Sequence, residues 1–430
     1  MSEEQERDPE TRPRSESGAL RVSRTAVTYA ALWTPALFQL LAAAATWGFA
    51  HACFVLLPKY LAVELGVGAR EIGRTMGAFG LASVPLSGVA GMMVDRRPYR
   101  NAIAWGAVLL ALSALGFACV RTFGPHVYAL RALQALANAL VVTAVGAAVV
   151  EVAPPARHAQ AIGLTGATML AMNAVAPMVA EPLAAAAGWQ PVFLLAAGAS
   201  LVSMVFLIGM RTGRDTAEHS LRSRDAGSLR DPRLAFDYAA VSAASGIAYG
   251  TVMAFEQPLA LSQGSHHVGR FLAAFAVGAL AVRLLAGSLP DRIGRARAAF
   301  GALAAYACGT ALLGVTPVAL LEAVGVFLGL SHGLFFPALN VLMLSRVPRS
   351  HRGRALALFT AAFHFGVAGT AILGPLAAAH GYPTVFAAAG AITGLGAVLL
   401  SRSRVLQESA PGSVSPAATA TLAVPRSSSA

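Results

Sequence analysis

The chain is poor in charged residues, in aromatic residues and in cysteine. Of its 430 residues, 12% are charged, 7% are aromatic and three are cysteine. Soluble domains carry about 25% charged residues, so this composition argues against a water-soluble fold. The three cysteines, Cys53, Cys119 and Cys308, lie in apolar stretches at spacings that match no metal motif. We interpret them as small core residues and expect neither a metal site nor a cofactor.

Lysine is nearly absent, because Lys59 is the only one in the chain. The formal charge of +12 is therefore almost entirely arginine. These arginines lie in short loops and do not alternate with aromatic residues as they do on a nucleic-acid surface. We expect no nucleic-acid partner. The first 28 residues are polar and lack the apolar core of a signal peptide, which predicts a cytoplasmic start.

Long apolar stretches dominate the remainder. Hydrophobic residues make up 56% of the chain and the mean hydropathy is +0.63. A helix needs about 20 apolar residues to cross a bilayer, and stretches near that length recur twelve times. We predict an all-α membrane protein with twelve transmembrane helices, surrounded by lipid. The spans begin near Pro35, Arg70, Asn101, Pro125, His158, Trp189, Asp237, Val268, Ala296, Val318, Gly353 and Tyr382.

The longest polar segment between spans divides the chain into two halves. We predict a cytoplasmic tail over residues 1–34, six-helix bundles over 35–210 and 235–402, a cytoplasmic linker over 211–234, and a disordered tail over 403–430. With the amino end inside, the internal connections carry seventeen arginines, whereas the external ones carry four basic residues. This asymmetry predicts a multi-pass protein of the cell inner (plasma) membrane with both termini cytoplasmic.

The two halves are related in sequence. Residues 72–96 of the second span align with residues 268–292 of the eighth at a constant offset of 196. A second match relates 182–189 to 375–382. The repeats predict two pseudo-symmetric bundles, an arrangement typical of carriers whose substrate site lies at mid-membrane between the halves.

Both aligned loops carry a motif that resembles the G-x-x-x-D-R/K-x-G-R/K signature of the major facilitator superfamily. Pro98 stands in the first copy where the family has its second glycine. The resemblance implies gating loops, in which the glycine allows close helix approach and the aspartate meets the amino end of a helix in the opposite half. The gating residues are Gly91, Asp95, Arg96, Gly287, Asp291, Arg292, Gly294 and Arg295.

A second motif, Arg131-x-x-Gln134-Ala135, resembles the family's R-x-x-Q-G pattern in the fourth span. The resemblance assigns Arg131 to proton coupling. A guanidinium is costly in hydrocarbon, so Arg131 should face the bundle interior; the alternative is an arginine that extends to the outer interface. Gln134 and Asn138 lie close to the same helix face.

Polar residues within spans are the other candidates for the substrate and proton pathway, since unpaired polar groups are costly in hydrocarbon. Arg283 aligns with Ser87, which suggests a substrate anion or a cross-half pair, although a structural bridge explains it almost as well. Glu256 is either a protonatable gate or a residue that reaches interfacial water. His51 is either functional or a core histidine. The remaining candidates are Asn173, Tyr249, His332 and His364.

The chain is similar to bacterial twelve-helix drug and sugar efflux members of the superfamily. The resemblance implies a secondary active transporter that exports a small organic solute in exchange for protons by alternating access, as a monomer. The glycine-rich exporter pattern of the fifth span is incomplete, so a proton symporter that imports a metabolite is the first alternative. A non-transporting membrane sensor or enzyme is the second, disfavoured because no segment is long enough for a catalytic domain.

Overall fold

The computed structural model describes residues 32–154, 157–210, 232–286, 289–347 and 351–403, and the regular structure in these ranges is helical. Twelve main helices begin within five residues of the predicted starts, which confirms the predicted fold class. They are α1 Pro35–Val63, α2 Ala69–Arg96, α3 Tyr99–Cys119, α4 Pro125–Val152, α5 His158–Ala187, α6 Trp189–Val205, α7 Pro232–Ser262, α8 Gly269–Leu285, α9 Arg295–Leu313, α10 Leu321–Arg346, α11 Arg352–His380 and α12 Tyr382–Arg402.

The outer surface of the bundle is apolar. By length and composition, ten helices of the described part are able to cross a membrane, and α6 is a shorter apolar helix. Large apolar side chains on α3, α6 and α12 point away from the protein, among them Trp105, Leu201 and Leu395, which is 69% exposed. Such an exterior suits hydrocarbon as its solvent.

The two halves repeat the same packing. In the first half, α1 packs on α5 and α6, α2 packs on α4, and α3 packs on α4 and α6. In the second half, α7 packs on α11 and α12, α8 packs on α10, and α9 packs on α10 and α12. Each of these contacts therefore has its counterpart six helices later, which agrees with the predicted pseudo-symmetry.

One repeated turn has the same backbone in both halves. Gly188 separates α5 from α6 and Gly381 separates α11 from α12, and both have φ of 81°. Residues with a Cβ rarely adopt this conformation, so glycine is needed at both positions. Trp189 and Tyr382 then begin the next helices. The sequence match between 182–189 and 375–382 thus reflects one structural unit used twice.

The halves meet where α2 crosses α11, where α5 crosses α8, and where α1 approaches α7. Glycines in the first three turns of α2 allow the first crossing. A Cβ on Gly73 would lie 2.5 Å from the Thr370 carbonyl oxygen, and one on Gly77 would lie 2.8 Å from the Ala371 nitrogen. Close backbone approach at small residues is the usual way to join helices in a membrane.

The same helices separate towards their other ends. A Cβ added to Gly88 or Gly91 on α2, or to Gly163 on α5, would meet nothing within 4 Å. We call the end with the α1–α2, α5–α6, α7–α8 and α11–α12 connections the closed end, and the opposite one the open end. Gly91 lies at the open end, so in this conformation it does not make the close helix contact expected of it.

Gly77→Ala should destabilise the protein by about 1–3 kcal/mol, because the added methyl group overlaps the α11 backbone. Gly88→Ala is the matched control on the same helix, where the methyl group meets open space. Thermal unfolding in detergent measures both variants. Equal melting temperatures for the two would show that α2 and α11 do not pack as described.

Candidate functional site

A central cavity lies between the two halves and has two neighbouring chambers. The first, of about 650 Å³ including its open mouth, is lined by α1, α2, α4, α7 and α11. The second, of about 440 Å³, is lined by α1, α5, α7, α8 and α10. Val55, Tyr249 and Met253 line both chambers. The cavity lining includes these sequence candidates: His51, Arg131, Asn173, Tyr249, Arg283, His332 and His364.

Arg131 is 5% exposed and points into the bundle, so it is not the arginine at the lipid interface of the alternative interpretation. Its Nη1 donates to the Gln134 amide oxygen at 2.6 Å, and its Nε donates to the Thr75 carbonyl at 3.4 Å. The guanidinium carbon lies 4.7 Å from the centre of the Phe79 ring. These contacts fix the guanidinium while none of them supplies a negative charge.

Two histidines flank Phe79 on the wall of the first chamber. The His51 ring lies 6.0 Å from Phe79 and stacks on Trp47 at 5.1 Å. The His364 ring lies 6.3 Å from Phe79, and its Nδ1 is 2.9 Å from the Thr360 carbonyl, which fixes Nδ1 as the donor. Both rings are therefore held by neighbours but still face the cavity.

The second half contributes a compact aromatic group around His332. The His332 ring stacks on Tyr249 at 5.1 Å and lies 5.5 Å from Tyr306. His332 Nδ1, the Tyr306 hydroxyl and Arg283 Nε are buried, and no hydrogen-bond partner is found for them within the described residues. Buried polar atoms of this kind normally have partners, and His332 and Arg283 line the second chamber, where a ligand or water would supply them.

Three sequence candidates do not line the cavity. Gln134 is buried behind Arg131 and orients it. Asn138 lies one turn further along α4 and is half-buried. Glu256 is fully buried on α7, with no partner for either carboxylate oxygen in the described part of the chain, so it does not reach interfacial water here.

A network at the closed end joins the two halves through Glu181 on α5. Its Oε1 accepts from Lys59 Nζ at 2.6 Å and from the Val268 amide at 2.9 Å. Its Oε2 accepts from the Gly269 amide at 2.9 Å. The carboxylate therefore caps the amino end of α8, where the helix dipole and unsatisfied N–H groups favour negative charge.

A second cross-half contact lies beside it, where Pro58 disturbs the end of α1. The Gln257 side chain accepts from the Lys59 backbone N–H at 3.1 Å and donates to the Val55 carbonyl at 2.7 Å. Val55 and Lys59 are four residues apart, so an amide from α7 joins both members of one helical hydrogen-bond pair of α1. We call the contacts of Lys59, Glu181 and Gln257 the closed-end clasp.

The gating residues that the structure describes lie at the open end. Asp95 and Arg96 are exposed, and no hydrogen bond or ion pair of Asp95 is found in the described ranges. Arg292, Gly294 and Arg295 are exposed as well. Gly287 and the Asp291 side chain lie outside the described residues. The cross-half contact that the resemblance implies for Asp95 is thus not formed in this conformation.

Sequence reasoning missed most of the closed-end clasp. Lys59 is one of the four basic residues of the predicted external connections, and Gln257 is not among the predicted site residues. The available signals were the position of the only lysine at the end of the first span and the Glu256-Gln257-Pro258 run in the seventh. The cavity also has a wall of Phe54, Met76, Phe79 and Phe363, which no spacing rule identified.

Comparison with known proteins gives a consistent result. The family model of the Major Facilitator Superfamily matches residues 37–264 and 238–427. The uncharacterized MFS-type transporter STM4428 of Salmonella typhimurium is 25% identical over 358 residues, covering 80% of this chain and 90% of that protein. The uncharacterized MFS-type transporter YwfA of Bacillus subtilis is 31% identical over 139 residues, covering 32% and 33% respectively.

Solved transporters have the same fold at low sequence identity. The nucleoside transporter NupG superposes with a TM-score of 0.70 at 14% identity, covering 85% of this chain and 98% of that one. The human organic anion transporter MFSD10 gives 0.64 at 14% identity, covering 85% and 99%. Together with the duplicated bundles and the central cavity, the family match shows that this chain belongs to the Major Facilitator Superfamily of membrane transporters.

Proposed function

We propose that this transporter is a secondary active exporter of a small organic solute that exchanges the solute for protons by alternating access. The observation that carries the proposal is a cavity with polar groups from both halves, closed at one end by the clasp and unsealed at the other. A solute that enters from the open end contacts α1, α4, α7 and α10 before it reaches the clasp. Opening the clasp while the open end closes would release it on the other side.

The open end faces the cytoplasm in this proposal. The predicted asymmetry assigns seventeen arginines to the connections at that end and four basic residues to the connections at the other end. Positive charge favours the cytoplasmic side. The conformation described is then the inward-facing state that loads solute for export. Both termini lie in the cytoplasm and the protein spans the plasma membrane.

Glu256 is the proposed proton carrier. A carboxylate without a partner is costly in a water-excluded site, so its charge depends on whether water reaches it. Glu256 is next to Gln257 of the closed-end clasp, and opening of the clasp would admit water beside it. Protonation of Glu256 and opening of the clasp are then coupled through one segment of α7.

Transport direction is decided in everted membrane vesicles that contain the protein. A proton gradient with the vesicle lumen acid, so that protons leave as solute enters, should drive accumulation of a solute from a panel of dyes, drugs and metabolites, with none in vesicles that lack the protein. Uptake of the solute by intact cells, together with no accumulation in everted vesicles, would instead identify a proton symporter. Binding without flux in either direction would contradict transport altogether.

Glu181→Gln should weaken the closed-end clasp by about 1–2 kcal/mol. The ratio of molecules with the clasp formed to molecules with the clasp broken should then fall by a factor of about 5–30. The change removes the charge that pairs with Lys59 and caps α8 but keeps the side-chain volume. Spin labels at Val63 and His267, after replacement of the three native cysteines, report the distance across the closed end. We expect a larger population at long distances.

Glu322→Gln is the matched control for this experiment. Glu322 pairs with Arg270 at 3.6 Å, both side chains are 58% exposed, and exposed pairs contribute little. Its distance distribution should match that of the wild-type protein. A Glu181→Gln distribution identical to the control would mean that the clasp does not hold the closed end.

Glu256→Gln should abolish proton coupling but leave solute binding intact. Glutamine resembles the neutral acid in size and hydrogen bonding but does not release a proton. In proteoliposomes, accumulation driven by a pH gradient should fall at least about tenfold, since the proton step can no longer be completed. Solute counterflow without a gradient should persist.

Glu64→Gln, at an exposed position on the same side of the protein, serves as control. Gradient-driven accumulation by Glu256→Gln at the wild-type rate would contradict the assignment.

A further inference from the structure

Two arginines line the cavity, one from each half, and its lining in the described part of the chain contains no acidic residue. Arg131 extends from α4 into the first chamber and Arg283 extends from α8 into the second. The residues that line these chambers include neither aspartate nor glutamate. A cavity with two cations and no acid is incomplete as a charge arrangement, because buried charges in proteins are normally paired.

The described residues do not satisfy these guanidinium groups. Arg131 has five N–H donors, and its contacts in the described structure are one amide oxygen, one long bond to a carbonyl and a 3.9 Å contact from Nη2 to the Met76 sulfur. Arg283 Nε is buried without a partner among the described residues. Both groups keep donors in a fork geometry that fits carboxylate or phosphate oxygens.

The two buried glutamates, Glu181 and Glu256, are not available to these arginines. Glu181 is occupied by Lys59 and by the amino end of α8. Glu256 is buried away from both chambers and makes no hydrogen bond to either arginine. A cross-half arginine–carboxylate pair, one of the explanations left open for Arg283, is therefore not formed in this conformation.

The rest of the wall is apolar and aromatic. Phe79, Phe363 and Met76 line the first chamber together with Arg131, and Phe275 and Leu272 line the second together with Arg283. Such side chains bind the flat or aliphatic body of a ligand, while a few polar groups fix its orientation. The position of Phe79 under the Arg131 guanidinium also limits how that arginine can move.

We propose that the cargo is a small organic anion with an aromatic or aliphatic body, bound between Arg131 of one half and Arg283 of the other. The role of this anion as cargo rests on the transport function proposed above. Its acidic group accepts from Arg131, and a second acidic or polar group accepts from Arg283. One molecule that contacts both halves lowers the free energy of the state in which they close around it, and this contact makes transport depend on loading.

The test uses four probes with one ring system: naphthoate, naphthalene dicarboxylate, the neutral naphthamide and the cationic naphthylmethylamine. Affinities are measured by calorimetry on the purified full-length protein without any gradient, with thermal shift as a second readout. We expect the dicarboxylate to bind most tightly, naphthoate next, and the neutral and cationic probes at least about tenfold more weakly. Adipate extends the set to an aliphatic body.

Arg131→Gln and Arg283→Gln should each weaken dicarboxylate binding by a factor of about 10–100, because each removes a charge-assisted hydrogen bond. Naphthamide binding should be unchanged in both variants, which shows that the cavity is still folded. Arg131→Lys should recover part of the affinity, since it restores the charge but not the fork. Arg270→Gln, which removes an exposed arginine outside the cavity, should bind all probes like the wild-type protein.

Three results would overturn the proposal: equal affinity for naphthamide and the anions, wild-type anion affinity in both glutamine variants, or no binding of any anion at millimolar concentration. Flux measured separately distinguishes this proposal from the transport proposal. Anion binding that depends on both arginines, but without flux in proteoliposomes, would contradict transport and leave the anion site standing. Proton-driven flux of a cationic solute would support the transport proposal and contradict the anion site.

Discussion

The contact between Glu181 and the amino end of α8 is the interaction on which the arrangement of the two halves depends. It places one negative charge where a lysine, two backbone amides and a helix dipole all favour it. Because these partners come from both halves, the carboxylate joins the halves at one end of the cavity. The opposite end has no such contact at Gly88 or Gly91, and the cavity is therefore unsealed there.

The two crossings between the halves are related by the repeat but use different physics. Glu181 directly precedes Pro182, and Gly374 precedes Pro375, its repeat partner. At the second position, Gly374 packs on the backbone at Arg70 and Gly73 without any charge. One crossing is thus steric and the other electrostatic. An ion pair and a capped helix hold the α5–α8 crossing, whereas small residues in backbone contact hold the α2–α11 crossing, so the symmetric scaffold uses two kinds of contact.

The sequence predicted the helices and their duplication well, because hydrocarbon forces long apolar spans and their length is a local property. It also identified Arg131 and Arg283 as interior groups, since charge inside a span must face the protein. The partners of Lys59 and Gln257 were not predictable, because they lie about 120–210 residues away and depend on which end of the carrier is closed. The exposed Asp95 shows the same limit, since the contact expected of it is not formed in this conformation.

Helix α7 links the cavity to the closed end. Tyr249, Gly250 and Met253 line the chambers, and Glu256, seven residues after Tyr249, lies on nearly the same helix face. Gln257 then fastens this helix to α1. In the proposed cycle, an anion between the arginines and a proton on Glu256 bind at two different heights along helix α7. Neither needs to touch the other, because a small rotation of α7 that accommodates the solute also moves the carboxyl group and the clasp. Coupling of solute to proton then follows from the stiffness of a single helix.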